Sequence, residues 1–283
     1  MQPVNLQLST FQLGLIGYPV SHSLSPKIHN AALKACGLEG EYSLFPIEPG
    51  DKKNLEELLG RIRAGEIQGL NVTIPHKQNV IEFMDVLTDT AQAIGAVNTI
   101  YLRDNKLVGD NTDASGFLSD LSRFLKETQR YGEKKAIVLG AGGSARAVVY
   151  ALLNDGWDVT IAARRIEQAQ QLANSFSNYQ LQVPDFSSFI IRPSSLLVNT
   201  TPLGMTPNIE TSPLPEKLSL PENVAVYDLV YNPRETKLVR DARAQGCAAV
   251  TGLGMLIEQA AVAFERWTGH VPPREVLYQA IEI

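Results

Sequence analysis

Residues 136–145 read Ala-Ile-Val-Leu-Gly-Ala-Gly-Gly-Ser-Ala. The apolar run 136–139 has strand composition. It meets Gly140, Gly142 and Gly143, then the helix-forming run Ala145-Arg146-Ala147-Val148-Val149. Strand, glycine turn and helix in that order form the dinucleotide-binding fingerprint G-x-G-x-x-A. Gly140 permits the tight turn, Gly142 lets the backbone approach a pyrophosphate, and Ala145 lets helix and strand pack closely. The anion then meets N–H groups at the helix start. Glycine-rich turns are common; the flanking strand and helix give this one its weight.

The next strand bears on the cofactor. Residues 157–163 are apolar and β-branched and end at Arg164-Arg165. An NAD site usually places an acid about 20 residues past the glycines to hold the ribose 2′-OH. Here two arginines stand instead, and a guanidinium is a planar, permanently charged fork suited to a 2′-phosphate. The pair favours NADP over NAD; the other reading is two surface arginines opening a polar helix.

Further out, the alternation continues. Strand-like runs lie at 158–162, 196–199 and 224–229, which makes the second half a doubly wound parallel sheet. A helix over 114–130 leads into it. In the first half, strand-like runs at 13–16, 42–47 and 69–74 alternate with helical patterns at 26–36 and 52–64. Ser25 is an N-cap candidate there, Pro26 fits the first helical position and Gly37 ends the helix. Residues 97–102 and 106–108 flank Arg103-Asp104-Asn105, a hairpin turn, so these strands need not all be parallel. Residues 202–220 read as an ordered loop, and helices follow at 255–267 and 273–281. There are no repeats and no low-complexity segments.

Composition excludes several classes. The chain has 283 residues, one or two domains' worth, with 44% hydrophobic and 19% charged residues. A net charge of −5 argues against a nucleic-acid or anionic-membrane partner. Two cysteines, Cys36 and Cys247, give no disulfide framework and point to a reducing cytoplasm. The start, Met1-Gln2-Pro3-Val4-Asn5, has neither the positive region nor the apolar core of a signal peptide. No apolar run is long enough to span a bilayer. The four histidines show no metal-ligand spacing, so no metal is expected. Nucleophile-elbow and P-loop motifs are absent. Asn71-Val72-Thr73 and Asn199-Thr200-Thr201 match the N-glycosylation pattern, idle in a cytoplasmic chain.

The first half carries unusual polar clusters. Ser21-His22-Ser23-Leu24-Ser25-Pro26 puts three hydroxyls before a helix, where they can hold a carboxylate or simply cap. Asn71-Val72-Thr73-Ile74-Pro75-His76-Lys77 puts polar groups at a strand's carboxyl end, where open α/β sheets bind ligands, ahead of a Pro-initiated helix. Lys77 reads equally as a solvated helix residue. Asn98 lies in Gly95-Ala96-Val97-Asn98-Thr99. Asp113, in Gly109-Asp110-Asn111-Thr112-Asp113, is a carboxylate at the start of a helix and also a good N-cap.

Together these segments resemble the shikimate dehydrogenase family nearly end to end. Besides those quoted, the resemblance rests on Val-Leu-Gly-Ala-Gly-Gly (138–143), Asn-Thr-Thr-Pro-Leu-Gly-Met (199–205), Tyr-Asp-Leu-Val-Tyr-Asn-Pro (227–233) and Gly-Leu-Gly-Met-Leu-Ile-Glu-Gln-Ala (252–260), in the family's order and spacing. It implies two α/β domains. One is an N-terminal substrate domain with a mixed sheet, residues 1–112 completed by helices within 254–283; the other is a Rossmann-type doubly wound parallel sheet, 113–253, for NADP.

The resemblance also implies roles. Lys77 and Asp113 match the catalytic pair, and Ser23 and Ser25 the substrate-carboxylate pair. Thr73, Asn98 and Gln259 match ring-hydroxyl and carboxylate contacts, and Tyr231 a tyrosine beside the carboxylate. Gly140, Ala141, Gly142, Gly143, Ser144 and Ala145 match the pyrophosphate loop, with Arg164 and Arg165 beyond it. Thr200, Leu203, Met205, Leu229, Gly252 and Met255 lie in segments matching the nicotinamide side.

The implied reaction is reversible reduction of 3-dehydroshikimate to shikimate by NADPH, in a monomer or homodimer. One departure stands out. The family commonly has Asn-Arg-Thr after the second strand of this sheet and a further Arg three residues on; here the run is Ala163-Arg164-Arg165, then Gln168. Arg165 stands in for the missing arginine, which leaves the degree of NADP selectivity open. Three rivals remain: a quinate-using relative with NAD activity, a non-catalytic dinucleotide-binding regulator, which would have lost Lys77 or Asp113, and another two-domain dehydrogenase such as a methylene-tetrahydrofolate dehydrogenase, which should lack the serine pair and the Gln259 segment.

Overall fold

Apolar strands and amphipathic helices alternate through the chain, and the computed structural model describes residues 10–129, 133–186, 191–193, 195–215 and 218–282. The chain divides into two units. One runs up to Thr112 and includes the segment from Ala260 onward; the other is Asp113–Gln259. The reading of residues 1–5 and the expected helix end at Arg130 fall outside the described residues.

The first unit runs β1 (Phe11–Gly17), α1 (Ser25–Ala35), β2 (Gly40–Pro46), α2 (Lys52–Arg63), β3 (Gly69–Val72), β4 (Val86–Leu87), α3 (Asp89–Ile94), β5 (Thr99–Arg103) and β6 (Lys106–Asp110). Its sheet has the order β2-β1-β3-β5-β6-β4. β1 is parallel to β2 and β3, β5 is antiparallel to β3 and β6, and β4 is parallel to β6, so the sheet is mixed. Asp104 and Asn105 both take positive φ, 51° and 58°, the conformation a two-residue hairpin turn requires. Helix α2 is capped by Asp51, whose carboxylate accepts the Asn54 N–H at 3.2 Å. Its Leu55, Leu58, Leu59 and Ile62 fall on one face. They pack with Ile16, Leu70, Val72, Ile100 and Leu107 from the sheet and with Val97 just before β5, and burying each such side chain is worth about 1.5–3 kcal/mol.

The second unit runs α4 (Asp113–Glu127), β7 (Lys135–Leu139), α5 (Gly143–Asn154), β8 (Asp158–Ala162), α6 (Ile166–Asn174), β9 (Leu196–Asn199), β10 (Ala225–Asp228), α7 (Lys237–Ala244), β11 (Ala248–Thr251) and the start of α8 (Leu253–Thr268), whose residues from Ala260 onward belong with α9 (Arg274–Gln279) to the first unit's closing segment. Its strands stand in the order β11-β10-β9-β7-β8 and every pairing is parallel. The chain starts at β7, winds to β8, then crosses back to β9 and onward. The reversal between β7 and β9 is the point of such a sheet at which ligands bind. Side chains of β7, β9, β10 and α7 form the core on one face: Ile137, Leu139, Leu197, Val226, Leu238 and Val239.

Three expectations need correction. No α-helix starts at Pro75. Residues 73–78 form turns, with the His76 N–H on the Thr73 carbonyl at 3.0 Å, and a short 3-10 helix follows over Asn79–Phe83. Ser25 is not the cap of α1. Leu24, with φ −83° and ψ −9°, already has helical geometry, so Ser25 is the first residue inside. Likewise Asp113 is the first residue of α4 rather than its flank. No helix among the described residues is long and apolar enough to cross a membrane.

Candidate active site

In the first unit the polar residues gather where β1, β3 and β6 end and β5 begins. Parallel register sets Ile16 beside Val72. The Thr73 N–H then donates to the Ile16 carbonyl at 2.8 Å, and a Cβ on Gly17 would collide with the Thr73 methyl. The chain after β1 turns so that the Val20 carbonyl accepts the Ser23 N–H at 3.0 Å, and Ser23 Oγ accepts the Ser25 N–H at 3.2 Å. Ser23 therefore takes up a helix-start N–H, while the Ser25 side chain lies buried in the first turn. Lys77 is buried, and its carbonyl accepts the Val97 N–H at 2.7 Å, fixing it next to Asn98.

The Asn98 carboxamide is held on both atoms. Its Oδ1 accepts from the Thr112 N–H at 2.8 Å and the Thr99 hydroxyl at 2.9 Å, and its Nδ2 donates to Thr112 Oγ1 at 3.0 Å. Behind it, Asn71 Nδ2 donates to the Asn98 carbonyl at 3.2 Å, and Asn71 Oδ1 accepts the Tyr42 hydroxyl at 2.8 Å. These groups are all buried, so each depends on the others for its hydrogen bonds. His29 stacks flat on Tyr42, ring centroids 4.4 Å apart and planes 4° from parallel. Among the described residues neither ring nitrogen has a hydrogen-bond partner. Burial, only partly opposed by the neighbouring Asn71 side chain, lowers the imidazole pKa to about 3. His76 Nε2 sits 2.7 Å from the Ile47 carbonyl, so that ring is engaged in structure.

In the second unit the glycine turn sits at the sheet's reversal. Gly140 has φ +111°, and a Cβ there would lie 2.6 Å from Thr200 Oγ1. The turn therefore needs glycine for its conformation and for the close approach of the β9 loop. Thr200 donates from both its N–H (2.9 Å) and its hydroxyl (2.7 Å) to the Leu139 carbonyl. Helix α5 begins at Gly143 with Gly142 as its flank and no side-chain cap. A Cβ on Gly142 would meet nothing within 4 Å, so the approach to the helix start is open, and Ala145 is fully buried against the strand. Ala141 and Ser144 are half-buried in this loop. An uncapped helix start behind an open glycine turn fits a pyrophosphate. Arg164 and Arg165 are exposed between β8 and α6, one strand over.

Past β9 the chain carries half-buried Leu203 and exposed Met205. Leu229 follows β10, its N–H on the Asn199 carbonyl at 2.9 Å. Tyr231 is half-buried two residues on. Gly252 follows β11, and a Cβ there would strike the Leu229 backbone. Met255 and Gln259 are buried on α8, where Gln259 Nε2 donates to the Leu256 carbonyl at 2.8 Å. Asp113 is buried at the start of α4.

Thus Ser23, Ser25, Thr73, Lys77 and Asn98 belong to the first unit; Asp113, Tyr231, Gln259 and every expected cofactor residue belong to the second. Asn199 and Asp228 lie in two of the segments that carry the family resemblance, 199–205 and 227–233, and Asn199 also in a glycosylation match, but the sequence assigned neither a role of its own. Asp228 is fully buried and accepts from Asn199 Nδ2 (2.8 Å), the Val230 N–H (3.1 Å) and the Thr236 hydroxyl (2.7 Å). Burial raises its pKa to about 6 against those three hydrogen bonds. Among the described residues no group of three or more His, Cys, Asp or Glu side chains is placed to hold a metal ion.

Three stretches of the chain match domain families. Residues 15–100 match the shikimate dehydrogenase substrate binding domain, 123–200 the shikimate/quinate 5-dehydrogenase family, and 252–282 the shikimate 5′-dehydrogenase C-terminal domain. A shikimate dehydrogenase (NADP(+)) of Salinibacter ruber is 41% identical over 289 residues, covering 98% of each chain. Among solved structures, a shikimate dehydrogenase in complex with NADP+ superposes with a TM-score of 0.85 at 39% identity, covering 96% of this chain and 94% of that one. Shikimate 5-dehydrogenase from Thermus thermophilus, in complex with NADP(H) and shikimate, gives 0.78 at 37% identity, covering 96% and 98%.

Proposed function

The chain belongs to the shikimate dehydrogenase family, and on that premise we propose that it interconverts 3-dehydroshikimate and shikimate with NADP(H) in the cytoplasm. The observation that carries this is the 41% identity to a shikimate dehydrogenase (NADP(+)) over 98% of both chains. The glycine turn at the sheet reversal and the buried polar cluster at the ends of β1, β3 and β6 support it.

In this reading residues 1–112, with helices within 254–283, bind substrate, and 113–253 bind the dinucleotide. Gly140–Ala145 cradle the pyrophosphate at the start of α5, with Arg164 and Arg165 on the 2′-phosphate. Thr200, Leu203, Met205, Leu229, Gly252 and Met255 line the nicotinamide side. When bound, NADPH supplies the hydride for the ketone carbon. Ser23 and Ser25, with Tyr231, hold the substrate carboxylate. Thr73, Asn98 and Gln259 read the ring hydroxyls and carboxylate. A site built of such donors and acceptors discriminates strongly against analogues that lack the matching hydroxyls. Lys77 donates a hydrogen bond to the ketone oxygen as negative charge develops there, then delivers the proton; Asp113 orients Lys77 and the reacting hydroxyl.

The second reading is a quinate/shikimate dehydrogenase with NAD activity; Gln168, in place of a common family arginine, favours its NAD activity. Initial rates for shikimate and quinate, each with NADP and NAD, test both. A ratio of kcat/KM favouring shikimate with NADP supports the first; comparable values across the four pairs support the second, and no turnover with any pair overturns both.

A further inference from the structure

Asn199 and Asp228 close β9 and β10 as a register pair in the parallel sheet. Both side chains are fully buried. From this pair the bonds run outward into the loop after β9. Asn199 Oδ1 accepts the Thr201 N–H at 2.9 Å and the Thr201 hydroxyl at 2.7 Å, while its Nδ2 reaches the Leu203 carbonyl at 3.4 Å and Asp228 Oδ1 at 2.8 Å. Asp228 Oδ2 accepts the Thr236 hydroxyl, which in turn caps α7 by accepting the Val239 N–H at 3.3 Å. At its other flank the loop is tied to the glycine turn by Thr200 on the Leu139 carbonyl. Its far end is fixed by the Thr206 N–H on the Asn232 carbonyl at 3.0 Å.

A fully buried carboxylate is an expensive way to secure a strand end that the ladder already holds. What it adds is direction. Three of the four Asn199 bonds go to residues 201 and 203, so the carboxamide sets the path of the loop that leaves the sheet beside the dinucleotide turn. We infer that Asn199, oriented by Asp228 and Thr236, is a positioning residue that sets residues 200–205 against the nicotinamide half of the dinucleotide. The inference rests on the proposed NADP-dependent activity, and it assigns Asn199 no contact with substrate or cofactor.

Equilibrium binding of two ligands tests it: NADP+, and adenosine 2′,5′-bisphosphate, which lacks the nicotinamide half. Asn199→Ala weakens NADP+ binding roughly tenfold, the size of one or two lost hydrogen bonds, and leaves the bisphosphate unchanged. Its kcat falls while KM for shikimate holds. Thr201→Val removes one hydroxyl from an intact loop and gives the same split at about two- to fivefold. A folded variant that binds both ligands like the parent, or loses both equally, overturns the inference. So does failure of both variants to fold, which makes the cluster a folding element only. If the unsubstituted chain binds neither ligand, the dinucleotide reading is what fails.

Discussion

Gly116 on α4 backs onto Gln259 on α8 so closely that a Cβ at Gly116 would lie 2.7 Å from the Gln259 backbone nitrogen. A methyl group at position 116 therefore pushes α8 away at the residue expected to read substrate. Overpacking of this kind costs about 1–3 kcal/mol. Gly116→Ala lowers the melting temperature and raises KM for shikimate, with KM for NADP little changed. Unchanged melting and kinetics would show that the two helices have slack at this point.

His29 makes stability fall in acid. Its folded pKa is lowered to about 3 from 6.5. Above pH 6.5 both folded and unfolded chains hold it neutral. As pH falls through 6.5 the unfolded chain takes up a proton that the folded chain refuses, so stability drops by about 1.4 kcal/mol per pH unit until the folded pKa is reached. Between pH 6.5 and 5 that is roughly 2 kcal/mol. His29→Phe keeps a ring against Tyr42 and removes the titration. Denaturant melts at the two pH values show a smaller acid loss in the variant; equal losses would assign the acid sensitivity elsewhere.

Arg164→Ala probes the 2′-phosphate. Losing one charge-assisted hydrogen bond costs about 1.5–3 kcal/mol, or roughly ten- to a hundredfold in affinity. KM for NADP rises accordingly while KM for NAD stays put. An equal rise for both cofactors would move Arg164 off the phosphate.

Lys77→Ala removes the proposed proton donor. General acid–base catalysis is worth about 10² to 10⁴ in rate, so turnover falls by that order with substrate affinity much less affected. Asp113→Asn is also severe, and the double variant is little worse than the poorer single, because groups acting as one unit are not additive. A folded Lys77→Ala enzyme retaining more than about a tenth of parental turnover would exclude this role, given that range.

The glycine turn was legible because all its determinants are local: a strand, three glycines and a small residue within ten positions. Strand β11 was not. It reads Ala248-Ala249-Val250-Thr251, and alanine carries no strand preference; the residues extend because β10 offers an open ladder edge. Helix α7 had signals available in the Thr236 cap and the spacing of Leu238, Val239 and Ala242. In the serine cluster, sequence showed three hydroxyls but not which would accept an N–H; Ser23 does, because helical geometry begins one residue before Ser25. The pairing of Asn199 with Asp228 spans 29 residues and follows from parallel register, which no local pattern encodes.

The buried placement of Asn71 and Asn199 bears on how the protein can be produced. Each heads an Asn-x-Thr triplet, and each hides its amide inside a hydrogen-bonded network, 5% and 0% exposed. In a host that exports the chain through a glycosylating compartment, sugar can reach these amides only before folding. A glycan on either asparagine cannot be accommodated once the sheets close. Secretion from such a host is therefore expected to yield chains that carry sugar or chains that fold, not both at once, while synthesis in a cytosol avoids the conflict.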